Sequence, residues 1–380
     1  MQSLQNIINQ EFNLKQDLIY LNHAAVSPWP VRTARAVQKF AEDNMIEGSL
    51  QYPEWLKKES ELRRQARLIL NAPSVNDIAL LKNTSEALSV VAYGLDWKQG
   101  DNIVSSNQEF PSNRIVWESL ASKGVEFREA DLNTTNSPED ALFSLVDEKT
   151  KLITISSVQF GTGLRMDLKQ IGHFCREKAI LFCVDAIQSL GAIQFDVQEI
   201  NADFVMADGH KWMLGPEGLA IFYSKPEARD HLNLNQFGWH MVKTQGDFDI
   251  RDWEPALTSR RFECGSPNML GIHALNASLS LLLEIGIENI EKEVIRRSEY
   301  IIEKLSANNK LVLITSGSKK RYAGIVTFQI NNFDNEGLFQ YLIDNNIFCA
   351  LRGGGIRLSP HFYTPISQLE QTIEVIDNYS

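Results

Sequence analysis

A chain of 380 residues can bury a large core and exceeds one small domain, so one large and one smaller domain is the natural division. Hydrophobic residues at 43% and charged residues at 22% are ordinary proportions for a soluble globular protein. Lys plus Arg number 37 against 48 Asp plus Glu, a net charge of −11 without any basic run, which argues against nucleic acid and anionic membrane surfaces as partners.

In chain order, the opening MQSLQNIINQEFNL lacks a basic stretch followed by an apolar core and does not read as a secretory signal. Residues 1–19 read instead as a short amphipathic helix (Leu4, Ile7, Ile8, Phe12) leading into Ile19-Tyr20-Leu21, then a turn of small and polar residues from Asn22 to Pro28. Helical spacing with charged outer faces covers 32–45 and 52–70. A short strand at 77–81 gives way to a helix that opens near Thr84-Ser85 and closes at Gly94. Free backbone N–H groups, hydroxyls and the positive end of a helix dipole suit a phosphate there; an ordinary capped helix start is the alternative. Strands follow at 101–105, 124–131 and 152–158, alternating with helical stretches. Repeated strand and helix across 77–223 predicts an α/β fold with a mainly parallel sheet. A long apolar helix at 273–284 bridges into a second part, where helices at 287–305 and 335–344, strands at 311–315 and 324–330, a strand pair around Arg352–Arg357 and a helix from Ile366 predict a smaller α+β domain. The expected division is 21–284 for the large domain and 1–20 with 285–380 for the small one. No run approaches the roughly 18 uninterrupted apolar residues of a membrane span.

Two residues carry the chemistry. Ile180 to Ala186, ILFCVDA, surrounds one carboxylate with apolar and small residues at the end of a strand lacking polar alternation. A buried carboxylate needs a partner, and a pyridinium nitrogen is one; a helix N-cap is the plainer reading of Asp185. Twenty-six positions on, Lys211 sits where the strand 204–207 stops and a loop bearing Gly215, Pro216 and Gly218 begins. A lysine desolvated at such a place loses charge, and a neutral amine is the form that makes a Schiff base; a strand-end lysine in solvent is the alternative. The spacing leaves room for one helix and one strand, so both residues fall on one edge of a parallel sheet, where open α/β sheets bind ligands.

Asp185-Ala186-Ile187-Gln188 followed by Gly209-His210-Lys211 resembles the pyridoxal-phosphate signature of the class V aminotransferase family, which also holds cysteine desulfurases, cystine lyases, kynureninase-like enzymes and isopenicillin-N epimerase-like proteins. The resemblance runs from about Tyr20 to the C-terminus and implies the type I fold of pyridoxal-phosphate enzymes. It implies pyridoxal 5'-phosphate as cofactor, anchored by Lys211 as catalytic residue, with Asp185 at the ring nitrogen and Gln188 at the phenolate oxygen. His210, Thr84 and Ser85 become phosphate ligands, and Phe110 takes the place of a histidine that stacks on the ring in desulfurases, a core phenylalanine being the alternative. Arg357, an arginine inside an apolar strand, matches the arginine that holds the substrate carboxylate, a role suited to a planar bidentate donor; a structural ion pair is the alternative. Gln159, in Ser156–Gly163, faces substrate or the cofactor hydroxyl, and His23 contacts substrate unless it stabilises the turn around it. Ser266, in Arg260–Asn268, resembles a residue that reaches the partner's phosphate, implying a homodimer with a shared active site; a surface loop with a basic pair is the alternative. Asp208 departs from the serine that desulfurases tend to carry and is expected to point away from a phosphate or to pair with a cation.

The resemblance is weak for the reaction. Transamination of a small α-amino acid is the nominal expectation; lysis of a cysteine or cystine C–S bond and epimerisation are close rivals, and a binding protein without catalysis is the reading of another class. Desulfurases of one group carry a nucleophilic cysteine on a longer loop between the positions of Arg352 and Arg357, where this chain has only Gly353, Gly354, Gly355 and Ile356. The four cysteines, Cys175, Cys183, Cys264 and Cys349, are scattered with no CxxC pair, which predicts a reduced cytoplasmic setting, no disulfide framework and no metal site. Selectivity is expected from residues such as His23, Gln159, Trp239 and His240.

Overall fold

The computed structural model describes residues 4–133, 137–249, 251–331 and 334–379. The first three residues of the stretch read as a non-signal N-terminus lie outside the described residues. Seven strands, β2 (Ile78–Leu81), β3 (Asn102–Ser106), β4 (Glu126–Ala130), β5 (Thr150–Ser156), β6 (Leu181–Asp185), β7 (Phe204–Asp208) and β8 (Ala220–Ser224), form one sheet in the order β2-β8-β7-β6-β5-β3-β4. β8 is antiparallel to both its neighbours, and the β7-β6-β5-β3-β4 run is parallel throughout. This is the α/β fold with a mainly parallel seven-stranded sheet.

Side-chain alternation explains why these strands are apolar without a break. Val205 and Ala207 of β7 enter one core while Phe204 and Met206 enter another, and Val184 and Cys183 of β6 divide in the same way. A strand covered on both faces has no solvent side to mark with polar residues. One face is covered by α3 (Tyr52–Leu70), α7 (Leu168–Lys178) and α9 (Met269–Ile285), which contribute Leu62, Ile69, Ile171, Ile272 and Leu279 to its core, with α2 (Val31–Glu47) packed on α9. The other is covered by α4 (Thr84–Gly94) and α5 (Ser112–Glu118), through Leu88, Val91, Val116 and Trp117.

After α9, Gly286 at φ 88° turns the chain into α10 (Ile287–Ala307). A four-stranded antiparallel sheet follows, β9 (Leu311–Leu313), β10 (Val326–Ile330), β12 (Ala350–Arg352) and β13 (Gly355–Leu358), in the order β12-β13-β10-β9. α10, α11 (Asn335–Asp344) and α12 (Ile366–Asp377) supply Ile301, Leu338, Leu342, Leu369 and Ile373 to a third core with Phe328, Ile356 and Leu358. The N-terminal segment belongs to both parts. α1 (Leu4–Glu11) packs Ile7 into the first core, and β1 (Ile19–Tyr20) pairs in parallel with β11 (Ile347–Phe348) beside the third. Beyond β1 the chain bridges Ser359 at Asn22 and reaches the large sheet, where the Ser27 amide donates to the His210 carbonyl at 2.8 Å.

Close backbone packing sets α7 against the sheet. A Cβ at Gly172 would lie 1.7 Å from the Ile200 carbonyl oxygen, so the helix seats at this depth only with glycine there. Gly172→Ala is therefore expected to cost about 2 kcal/mol by urea unfolding. A loss below about 0.5 kcal/mol would mean that α7 shifts freely to accept the methyl group.

Candidate active site

The C-terminal ends of β5, β6 and β7 share one edge, with Ser156 in register with Asp185 and Asp185 with Met206. Asp185 is the last residue of β6 and is buried. Its Oδ1 accepts the Ile187 amide at 3.0 Å, which begins the turn that follows the strand. Burial pushes the Asp185 carboxyl well above the usual carboxylate range; the Ile187 N–H opposes this, and the nearby Glu109 carboxylate adds to it.

Lys211 follows β7 and is only 8% exposed. Its Nζ lies 5.5 Å from the centroid of the Phe110 ring, and Phe110 meets Phe160 edge to face at 5.2 Å. Burial lowers the Lys211 pKa; Asp185 opposes the fall, and the positive charge of Arg357 adds to it. Backbone bonds shape the loop beyond: the Leu214 amide donates to the Lys211 carbonyl at 3.0 Å and the Gly215 amide to the Gly209 carbonyl at 2.8 Å. The lysine is thus held at a desolvated strand end, and the solvent-exposed alternative does not describe it.

Arg357 is buried in β13, with Nη1 donating to the Phe160 carbonyl at 2.8 Å and Nη2 to Asn22 Oδ1 at 3.3 Å. Burial brings its pKa down to about 10, with Arg352 adding to the shift, so it keeps its charge at neutral pH. It has no carboxylate partner among the described residues, and its buried Nε lacks a hydrogen-bond partner. A structural ion pair, the alternative role, is not what the guanidinium makes.

Around the lysine, Thr84 Oγ1 accepts the Asp208 amide at 3.1 Å, which places the start of α4 beside the end of β7. Asn83 caps α4 by accepting the Glu86 amide at 2.9 Å, and the Ser85 hydroxyl donates to Ser112 at 2.8 Å. Asp208 Oδ1 lies 3.0 Å from His210 Nδ1, at an angle outside hydrogen-bonding geometry, so the acid sits against the imidazole ring. The Gln188 amide is held from both ends, donating to the Ala24 carbonyl at 3.1 Å and accepting from Trp212 Nε1 at 2.9 Å.

Three sequence readings need adjustment. His23 is fully buried with Nδ1 2.8 Å from the Ser359 carbonyl and Nε2 2.7 Å from the Tyr363 hydroxyl; burial brings its pKa down to about 4. Both nitrogens are taken, which fits the turn-stabilising role and leaves neither for substrate. Gln159 is also fully buried and donates to Glu109 Oε1 at 2.8 Å, so it lines the floor of the site and offers no exposed surface to a ligand. His240 sits in a buried ion cluster, 3.6 Å from Glu263, whose carboxylate takes both Arg63 nitrogens at 2.6 and 2.7 Å while Arg63 also meets Glu59. Ser266 is exposed in the loop before α9, and Trp239 is 41% exposed.

Sequence reasoning passed over Glu109, Asn22 and Trp212. The only sign of Glu109 was an acid between a strand end and Phe110-Pro111, and nothing in the spacing marks the other two.

The donor set fits pyridoxal 5'-phosphate. An amine of lowered proton affinity faces a buried carboxylate that suits a ring nitrogen, beside an aromatic face and an uncompensated arginine. His210 Nδ1, Asp208 Oδ1 and Arg357 Nε are buried without a hydrogen-bond partner, a concentration of orphaned atoms that protein interiors ordinarily avoid. Only the neutral amine attacks an aldehyde, so the rate of cofactor uptake by the apoprotein rises with pH through the Lys211 pKa. Burial lowers that pKa, so stopped-flow absorbance should give a midpoint more than about one unit below the ordinary lysine value. A midpoint at the ordinary value would contradict the desolvated site.

Comparison with known proteins agrees with this fit. The family model for aminotransferase class-V matches residues 19–364. The chain is 30% identical to a probable cysteine desulfurase of Methanothermobacter thermautotrophicus, covering 97% of this chain and 96% of that one. It is also 30% identical to an uncharacterized aminotransferase of Schizosaccharomyces pombe, over 85% and 83% of the two chains. Among solved structures, the apo cysteine desulfurase of Thermococcus onnurineus NA1 superposes with a TM-score of 0.87 at 22% identity, covering 99% and 98% of the chains. The cystine C-S lyase C-DES, solved with its product cysteine persulfide, superposes with a TM-score of 0.89 at 21% identity over 96% and 98%. The chain belongs to the class V aminotransferase family of pyridoxal-phosphate-dependent enzymes.

Proposed function

We propose that this enzyme is a homodimeric lyase that breaks the Cβ–S bond of a small cystine-type amino acid, the sulfur leaving on the substrate's own fragment and not on a protein thiol. The observation that carries the reading is the turn between β12 and β13. Gly353 has φ +64°, and a Cβ there would lie 2.2 Å from the Gly161 carbonyl oxygen, so the turn is jammed against the large domain. This tight turn, Gly353-Gly354-Gly355-Ile356, carries no cysteine. The other thiols do not replace it: Cys175, Cys183 and Cys349 are buried, the last with its pKa pushed up to about 12, and the partly buried Cys264 donates to Gln236 Oε1 at 3.4 Å. The relatives named as cysteine desulfurases favour cleavage at sulfur over the transamination nominally expected, and the missing thiol favours a disulfide substrate, which brings its own acceptor.

The bound cofactor supplies an electron sink for charge developing at the substrate Cα. Arg357 binds the carboxylate and turns the Cα–H bond toward Lys211, whose amine removes the proton. The electron pair then expels sulfur: the Cβ–S bond breaks, the persulfide of one cysteine departs, and the remaining enamine takes up water to give pyruvate and ammonia. Phe110 covers the reacting face, and Asp185 holds the charge of the ring nitrogen.

Exposed apolar side chains support the dimer. Val26 and Trp29 near the site, and Phe248, Trp253, Leu257 and Leu270 flanking the Ser266 loop, are each at least 40% exposed, a concentration that favours a second copy over solvent. In that dimer Ser266 reaches the partner's phosphate site.

With cystine, the purified enzyme is expected to release pyruvate, ammonia and persulfide in equal amounts, and a variant with all four cysteines replaced by serine should keep the activity. Loss of turnover in that variant would overturn the thiol-free route. Accumulation of the pyridoxamine form without pyruvate would establish transamination, and no change in any amino acid would leave a binding protein. Arg357→Lys, which loses the planar fork, should raise KM for the amino acid roughly 10- to 100-fold. An unchanged KM would remove Arg357 from carboxylate recognition.

A further inference from the structure

Glu109 is a buried acid that the reaction above does not use, 6% exposed in the loop between β3 and α5. Five donors converge on it. Oε1 accepts from the Ser106 hydroxyl at 3.2 Å, the Ser156 amide at 2.9 Å and Gln159 Nε2 at 2.8 Å, and Oε2 accepts from Asn113 Nδ2 at 2.7 Å and the Ser156 hydroxyl at 2.5 Å. All five bonds are accepted and none is donated, the pattern of a carboxylate and not of a carboxylic acid, whose proton would need an acceptor. Ser156, which gives it two of these bonds, is the register partner of Asp185 on the neighbouring strand. Asp185 accepts the Ile187 amide alone among the described residues.

Two acids therefore lie side by side at the sheet edge with opposite support. Pairs of this kind divide their roles, one acid fixed as an anion and the other free to exchange its proton. We propose that Glu109 is a positioning residue that supplies a permanent negative charge behind Asp185, raising the proton affinity of whatever cation Asp185 and Lys211 hold. The charges facing Asp185 are Glu109, Lys211 and Asp208, and Arg357 faces Lys211 from the small domain; the Cys183 thiol lies beneath, its pKa raised by burial. The inference rests on the cofactor site and not on which bond is cleaved.

Neighbouring contacts define the variants. Asn113 Oδ1 accepts from Trp117 Nε1 at 2.9 Å and from the Thr154 hydroxyl at 2.7 Å, so its amide cannot flip, and Nδ2 always faces residue 109. E109Q removes the charge but sets two amides against each other. E109Q/N113D moves the carboxylate to residue 113 and keeps each bond paired.

The test is a pH titration of the visible absorption band of the holoenzyme, without substrate. A nearby anion stabilises the protonated, cationic form, so its loss lowers the midpoint. E109Q should titrate about one pH unit below the wild type, a tenfold fall in proton affinity, and E109Q/N113D should return most of that shift. Should E109Q not fold, Glu109→Ser, free of the amide clash, is read against the same outcomes. Gln159→Leu, which removes one bond and keeps the charge, should lower the melting temperature and leave the midpoint in place. A midpoint unchanged when the charge is removed, or moved equally by Gln159→Leu, would overturn the proposal and leave Glu109 as a structural tie. Failure of C–S cleavage would not move this result, and failure to bind the cofactor would appear as a missing band in the wild type.

Discussion

Everything at this site follows from the cost of keeping a lysine amine and a carboxylate out of water at neighbouring strand ends. An ammonium and a carboxylate each lose hydration on burial, and the structure answers by moving the proton affinity of Asp185 up and that of Lys211 down. Such a pair is poorly placed for stability and well placed for chemistry: the amine can be neutral near physiological pH, and the acid is ready for a cationic ring nitrogen. The parallel sheet makes this possible, because strands covered on both faces end together at one dry edge.

The second constraint is the fit between the small and large domains. The glycine turn at Gly353 meets Gly161 backbone to backbone, and the Thr327 hydroxyl donates to the Gly161 carbonyl at 2.7 Å. Arg357, two residues past the start of β13, is delivered by the same hairpin to the Phe160 carbonyl and Asn22. The hairpin that brings Arg357 toward the lysine is thus the same short turn that carries no cysteine.

Much of this was legible in the residues. The apolar runs announced buried strands because no face needed polar marking, and predicted strand ends differ from the observed ones by one or two residues. Asp185 and Lys211 stood out for the same reason, as charges where a buried strand stops. Partners distant in sequence were not legible. His23 meets Ser359 and Tyr363, more than 330 positions away, and only folding the N-terminal segment onto the small domain reveals that its nitrogens are taken. Gln159 read as a residue facing a ligand and Glu109 was passed over; their mutual hydrogen bond depends on how the loops after β3 and β5 are set side by side. His240 carried no sign of the Arg63 and Glu263 cluster, because ion pairs between separate elements leave no periodic trace.

The central claim is that the Lys211 amine holds the cofactor. Borohydride reduction of the holoenzyme, followed by proteolysis and mass mapping, fixes the bound pyridoxyl group to one residue. The account predicts the adduct on the peptide carrying Gly209-His210-Lys211, at the lysine. An adduct on another lysine, or none in protein that retains its cofactor, would contradict it.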